Sequence, residues 1–108
     1  MSATADQVLI ERASRALIEA VEVPAKVILF GSRARGDADD RSDFDFLVIE
    51  REVQDRFAEM VRLGRILGRL LIPADVVVVS VEHVRKWEAV SGTMIHEAIT
   101  EGQVVAES

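Results

Sequence analysis

The sequence predicts a small α/β (α+β) domain, a mixed β-sheet of three to four strands packed against helices. Three observations carry that expectation. Short β-branched runs alternate with longer segments of helical periodicity. Prolines and glycines (Pro24, Gly31, Pro73, Gly102) fall where those segments meet. The link between the first two strand candidates holds only about a dozen residues, too few for a full crossover helix plus loops, which favours an antiparallel or obliquely connected pair. The third strand follows a long helix and can pair in parallel. At 108 residues, one domain spanning 1–108 is expected.

The first segment reads as a helix. Thr4 and Gln7 have capping-box spacing, and Val8, Ala13, Leu17, Ala20 and Val21 recur near the helical period before Pro24 stops it. Lys26 to Phe30 is a short apolar run closed by Gly31, a buried strand. The stretch Gly31-Ser32-Arg33-Ala34-Arg35-Gly36 is a loop or a single helical turn. Asp43 to Ile49 is the second strand, its phenylalanines alternating with carboxylates, so Phe44, Phe46 and Val48 should face the core.

Val53 to Leu71 is the longest helical pattern, with Phe57, Met60, Val61, Leu67 and Leu71 assigned to one apolar stripe. Arg62, Arg65 and Arg69 fall at helical spacing and read as a solvated face, or as a docking surface for an acidic partner or RNA. Pro73 precedes Asp75-Val-Val-Val-Val, a β-branched third strand. Ser80 caps a short helix through Trp87, which should pack under the C-terminal helices. Thr93 to Glu101 is a further helix stopped by Gly102, and Gln103 to Ala106 is an edge strand. His83 and His96 lack metal-site spacing and read as ordinary helix residues.

Charge and composition exclude several functions. The net charge of −6 opposes non-specific nucleic-acid binding through phosphate neutralisation. With no cysteine there is no disulfide, thiolate zinc site or cysteine nucleophile. No apolar run approaches the roughly 18 residues of a membrane span, and the N-terminus lacks a signal-peptide pattern. A cytoplasmic location is expected. Asp37, Asp39, Asp40, Asp43 and Asp45 against Arg41 contribute −4 of the −6, so the acidity is concentrated in one loop and strand.

Asp43 and Asp45 are two apart on a strand, so both carboxylates project from one face. Their repulsion and desolvation need an offset, which an oxygen-seeking divalent cation such as Mg²⁺ supplies. Asp75 can add a third carboxylate if its strand lies beside the second, which meets the demands of a two-metal site. Gly31 lets backbone approach a phosphate, and a helix start at Ser32 points N–H groups and a hydroxyl at an anion. Arg33 and Arg35 add cationic donors. The aspartates of the spacer, Asp37, Asp39 and Asp40, are expected to point outward into solvent.

Gly31-Ser32, a ten-residue spacer and Asp43-Phe44-Asp45 form the pattern GS-x10-DxD. It resembles the hallmark of the nucleotidyltransferase superfamily related to DNA polymerase beta. Gly31 to Gly36 with Ser42 to Val48, the short length, Asp75 on a valine-rich strand and an ending close to Ala98-Ile-Thr-Glu-Gly-Gln-Val104 resemble its minimal nucleotidyltransferase (MNT) family. The resemblance implies the small nucleotidyltransferase fold, with Asp43 and Asp45 binding two Mg²⁺ ions and Asp75 binding the one that activates the acceptor hydroxyl. It implies that Gly31 and Ser32 hold the phosphates of ATP, with Arg35 in the matching position of the motif. It further implies an antitoxin that transfers AMP to a hydroxyl, foremost a tyrosine, of a partner HEPN-domain toxin, in a homo- or hetero-oligomer. Two other readings stand beside it: an antitoxin that neutralises by binding alone, and the catalytic subunit of a split transferase acting on a small molecule or RNA end.

Overall fold

In a computed structural model, residues 4–36 and 43–108 are described. The element order is α1 (Ala5–Ala20), β1 (Ala25–Phe30), α2 (Ser32–Arg35), β2 (Phe44–Glu50), α3 (Arg56–Arg69), β3 (Ala74–Ser80), α4 (Val81–Trp87), α5 (Met94–Glu101) and β4 (Gln103–Glu107). The strands form one sheet in the order β3-β2-β1-β4. β1 pairs antiparallel with β2 and with β4, while β2 pairs in parallel with β3. The sheet is therefore mixed, as the connection lengths require.

Alternation along the strands divides the core into two layers. Val27, Leu29, Phe44, Phe46, Val48, Val76 and Val78 join Ala13 and Leu17 of α1 and Leu63 and Leu67 of α3. Ile28, Phe30, Leu47, Ile49 and Val79 join Val84 of α4 and Ile95 and Ala98 of α5 on the opposite face. β1 and β2 are thus apolar on both sides, as central strands must be. Gly102 fits α5 tightly onto β1: a Cβ there would collide with the Ala98 carbonyl oxygen and lie 2.6 Å from Ile28 Cγ2.

Caps set the helix limits. Thr4 and Gln7 form a reciprocal capping box on α1, and Ser80 and Thr93 accept from the N–H groups of His83 and His96. α3 begins later than the periodicity suggests because Asp55, not a residue near Val53, accepts from the Ala58 N–H at 3.0 Å. Its C-terminus is a Schellman turn, with the N–H of Ile72 on the Leu67 carbonyl and that of Leu71 on Gly68. Leu71 occupies the left-handed position usually given to glycine, with φ 59°.

Two packing expectations are corrected. The stripe assigned to α3 does not all face the core: Phe57 is 75% exposed, Leu71 88% exposed, and Val61 is also exposed. At 3.6 residues per turn, Phe57 and Val61 lie roughly 80–160° around the helix from Leu63 and Leu67, which take the buried face. Trp87 is 43% exposed instead of packed, its ring 6.4 Å from that of His83, because Val84 takes the inward position on α4. Phe44, Phe46 and Val48 are buried as expected.

Among the described residues, one ionisable group lies deep in the fold. Glu50, at the end of β2, is only 4% exposed. Beside it the Arg62 Nε and Nη2 atoms donate to Glu59 at 2.7 and 2.9 Å, and Nη1 donates to the Ala20 carbonyl at 2.9 Å. Burial first, then Glu59, push the Glu50 carboxyl up to about 8. Ionised, its Oε2 has no donor; protonated, the acid can donate to Glu59. Among the described residues, no helix is long and apolar enough to cross a membrane.

Candidate active site

The N-terminal end of β2 gathers most of the residues singled out in the sequence. Parallel pairing with β3 sets Asp45 directly beside Asp75. Antiparallel pairing with β1 sets it opposite Phe30, the residue before Gly31. Alternation turns Asp45 and Asp75 to the side of the sheet occupied by Leu47, Val77 and Val79, away from the phenylalanines. Asp43 is exposed and lies one residue outside β2, where the Phe44 N–H donates to the Pro73 carbonyl at 2.9 Å. That bond fixes the entry of β2 against the segment leading into β3.

Gly31 closes the site from the β1 side. It is the N-cap of α2 with φ 77°, and a Cβ at this position would collide with Asp45 Oδ2. Glycine is required twice over, by the backbone and by the carboxylate packed against it. Ser32 opens α2 and is half-buried, and α2 closes with the Arg35 N–H on the Gly31 carbonyl and the Gly36 N–H on the Ser32 carbonyl.

The two arginines diverge. Arg33 Nη1 donates to Asp6 at 2.6 Å, and its guanidinium lies 4.7 Å from the centre of the Phe44 ring, so it ties α1 to the motif. Arg35 Nη1 donates to Glu97 of α5 at 2.8 Å. Glu97 is a site residue that sequence reasoning missed. It is 62 positions from Arg35, and only the return of α5 onto β1 brings it near. Asp37, Asp39, Asp40 and Arg41 lie outside the described residues.

Partial burial and crowded negative charge act together on Asp45. Its carboxyl is held above the usual range by partial burial, then by Asp75, Asp43 and Glu97, with Arg35 opposing. Such an all-oxygen, mutually repelling donor set suits a hard divalent cation. Among the described residues, no three acidic or histidine side chains are gathered tightly enough to enclose an ion. The chemistry of the donors therefore fits Mg²⁺, and the enclosure is incomplete.

A glycine-led turn, a pair of alternating aspartates and a third on the parallel neighbour define a class of phosphoryl-transfer folds. Residues 14–108 match the family model described as "Polymerase beta, Nucleotidyltransferase". The chain belongs to that family. No curated protein matches it. Among solved structures it is similar to a chain of the complex of tri-AMPylated Shewanella oneidensis HEPN toxin with MNT antitoxin, with 18% identity, 94% of this chain and 72% of that one covered, and a TM-score of 0.59. A toxin-antitoxin structure with AMP-PNP aligns at 20% identity over 91% of this chain and 73% of that one, with a TM-score of 0.60. A protein of Sulfolobus solfataricus assigned as a nucleotidyltransferase gives 18%, 93%, 78% and 0.61. At these identities the likeness is one of fold.

Proposed function

We propose that the chain is a Mg²⁺-dependent nucleotidyltransferase antitoxin of the cytoplasm, one catalytic domain that transfers AMP from ATP to a hydroxyl, foremost a tyrosine, of a partner HEPN-domain toxin. The observation that carries this reading is the alignment of Asp45 with Asp75 across β2 and β3, beside a Gly31-Ser32 turn that no larger residue could form. The fold shared with an MNT antitoxin complex holding an AMPylated toxin, and with a toxin-antitoxin structure holding AMP-PNP, supports the substrate and partner.

The acceptor oxygen attacks the α-phosphorus of ATP, the bond from that phosphorus to the β-phosphate oxygen breaks, and pyrophosphate leaves. Asp75, exposed at the start of β3, takes the hydroxyl proton. Gly31 lets the backbone reach the β and γ phosphates, Ser32 donates its hydroxyl to them, and Arg35 supplies a cation beside them. Asp43, Asp45 and Asp75 would hold Mg²⁺, which supplies charge neutralisation of the triphosphate and polarisation of the attacking oxygen. Incubation with ATP labelled at the α-phosphate, Mg²⁺ and the HEPN partner should place the label on that protein. Label appearing only on RNA or small molecules would replace the partner by another acceptor.

A further inference from the structure

The face of α3 turned away from the core has a composition its position does not require. Phe57, Val61, Arg65 and Arg69 recur every four residues. That spacing drifts by only about 40° per step, which keeps them on one side of the helix. Phe57 is exposed although it is among the largest apolar side chains present. These residues line a groove of about 570 Å³ together with Arg62 and Ile66, and among the described residues no carboxylate lines it, in a chain of net charge −6.

α3 packs on the sheet face opposite the Asp45 and Asp75 carboxylates, but its C-terminal end lies at the edge of the sheet where β3 begins. Leu71, in the turn that follows α3, is the most exposed of the large apolar side chains among the described residues and is held at a left-handed φ where glycine would be relaxed. Asp75 follows four residues later, so the two backbones are no more than about 14 Å apart. A leucine this exposed at a left-handed φ is costly to folding and buries almost nothing within the fold.

We infer that the Phe57-Val61-Arg65-Arg69 face and Leu71 dock the acceptor protein, through a surface of that protein carrying carboxylates around an apolar contact. The charge of the groove complements such a surface, and its exposed apolar members favour a protein over RNA. This inference rests on the proposed transfer to a protein, so binding and transfer are measured separately.

The full chain, its Arg65→Glu/Arg69→Glu variant and its Leu71→Gly variant are titrated with the HEPN partner without nucleotide, then assayed for transfer. The double variant should raise Kd and the KM for the partner by about tenfold or more, with kcat at saturation and ATP affinity changed by less than about twofold. Leu71→Gly should weaken partner binding without lowering Tm, because glycine relaxes the left-handed position. A Kd within about twofold of wild type in both folded variants overturns the docking face, as does a wild-type chain that does not bind the partner. Tight binding of a fluorescent single-stranded RNA that only the double variant loses, with partner Kd unchanged, overturns it in favour of RNA. Wild-type binding without transfer removes the catalytic reading alone, and transfer with unchanged variant affinities removes the docking face alone.

Discussion

The carboxylate of Asp45 occupies the space where a side chain on Gly31 would stand. A glycine at the end of β1 and an aspartate on β2 are thereby a single structural unit. Gly31→Ala introduces a Cβ against Oδ2 and forces an alanine to φ 77°. It should destabilise the fold by about 1–3 kcal/mol and reduce transfer by about a hundredfold or more, because either Asp45 or the turn must move. Thermal unfolding and steady-state transfer rates check both effects.

Asp45→Asn separates folding from chemistry. Burial, then its acidic neighbours, hold the Asp45 carboxyl above the usual range, so removing its charge relieves repulsion. The sign follows from linkage: a carboxyl raised in the folded state loses stability as pH rises through its titration range. The Asn variant should be at least as stable as wild type at neutral pH while transfer is abolished. Millimolar Mg²⁺ should raise the wild-type Tm, because a ligand held only by the native state stabilises it, and leave the variant unmoved. Scanning fluorimetry with and without EDTA reads this directly.

Stability should fall with pH for a reason remote from the active site. Glu50 is raised from the ordinary 4.5 to about 8. The unfolded chain releases this proton at the lower value, so stability is lost as pH climbs from about 4.5 to 8 and levels off above that. Glu59 is lowered, chiefly by its hydrogen bond from Arg62, and its contribution is lost in the opposite direction, as pH falls below the ordinary range. Glu50→Gln keeps a donor toward Glu59 and removes the titration. Its Tm should exceed wild type by about 4–8 °C at pH 8.5, for roughly 1 kcal/mol recovered, with little difference at pH 5.

Arg33 is expected to act on stability rather than on the reaction. Its side chain is 12% exposed, paired with Asp6 and stacked over Phe44. Arg33→Ala should cost about 1–2 kcal/mol through the lost charged hydrogen bond and cation–π contact. Denaturant titration measures the cost. The KM for ATP should change far less than in Arg35→Ala.

The sheet was legible because its signals are local. β-branched runs, capping residues and the short β1 to β2 link each constrain their own neighbourhood, and alternation then places Asp45 and Asp75 on one face once their strands are adjacent. What was not legible depends on angles and returns of the chain. Phe57 and Val61 satisfy a loose apolar period, yet α3 settles with Leu63 and Leu67 inward. Trp87 yields the inward position on α4 to Val84. Glu97 has no motif; it enters the site because Gly102 lets α5 press onto β1. Nor does a single carboxylate in β2 announce that Glu59 and Arg62, one helix later, will enclose Glu50.

The central claim is that Asp45 and Asp75 act together to adenylylate a partner protein. The most direct measurement is the intact mass of the HEPN partner after incubation with this chain, ATP and Mg²⁺, run beside Asp45→Asn. A mass gain of one or more AMP groups with the wild type, absent with the folded variant, is the result expected. An unmodified partner in both reactions, or equal modification in both, would contradict it.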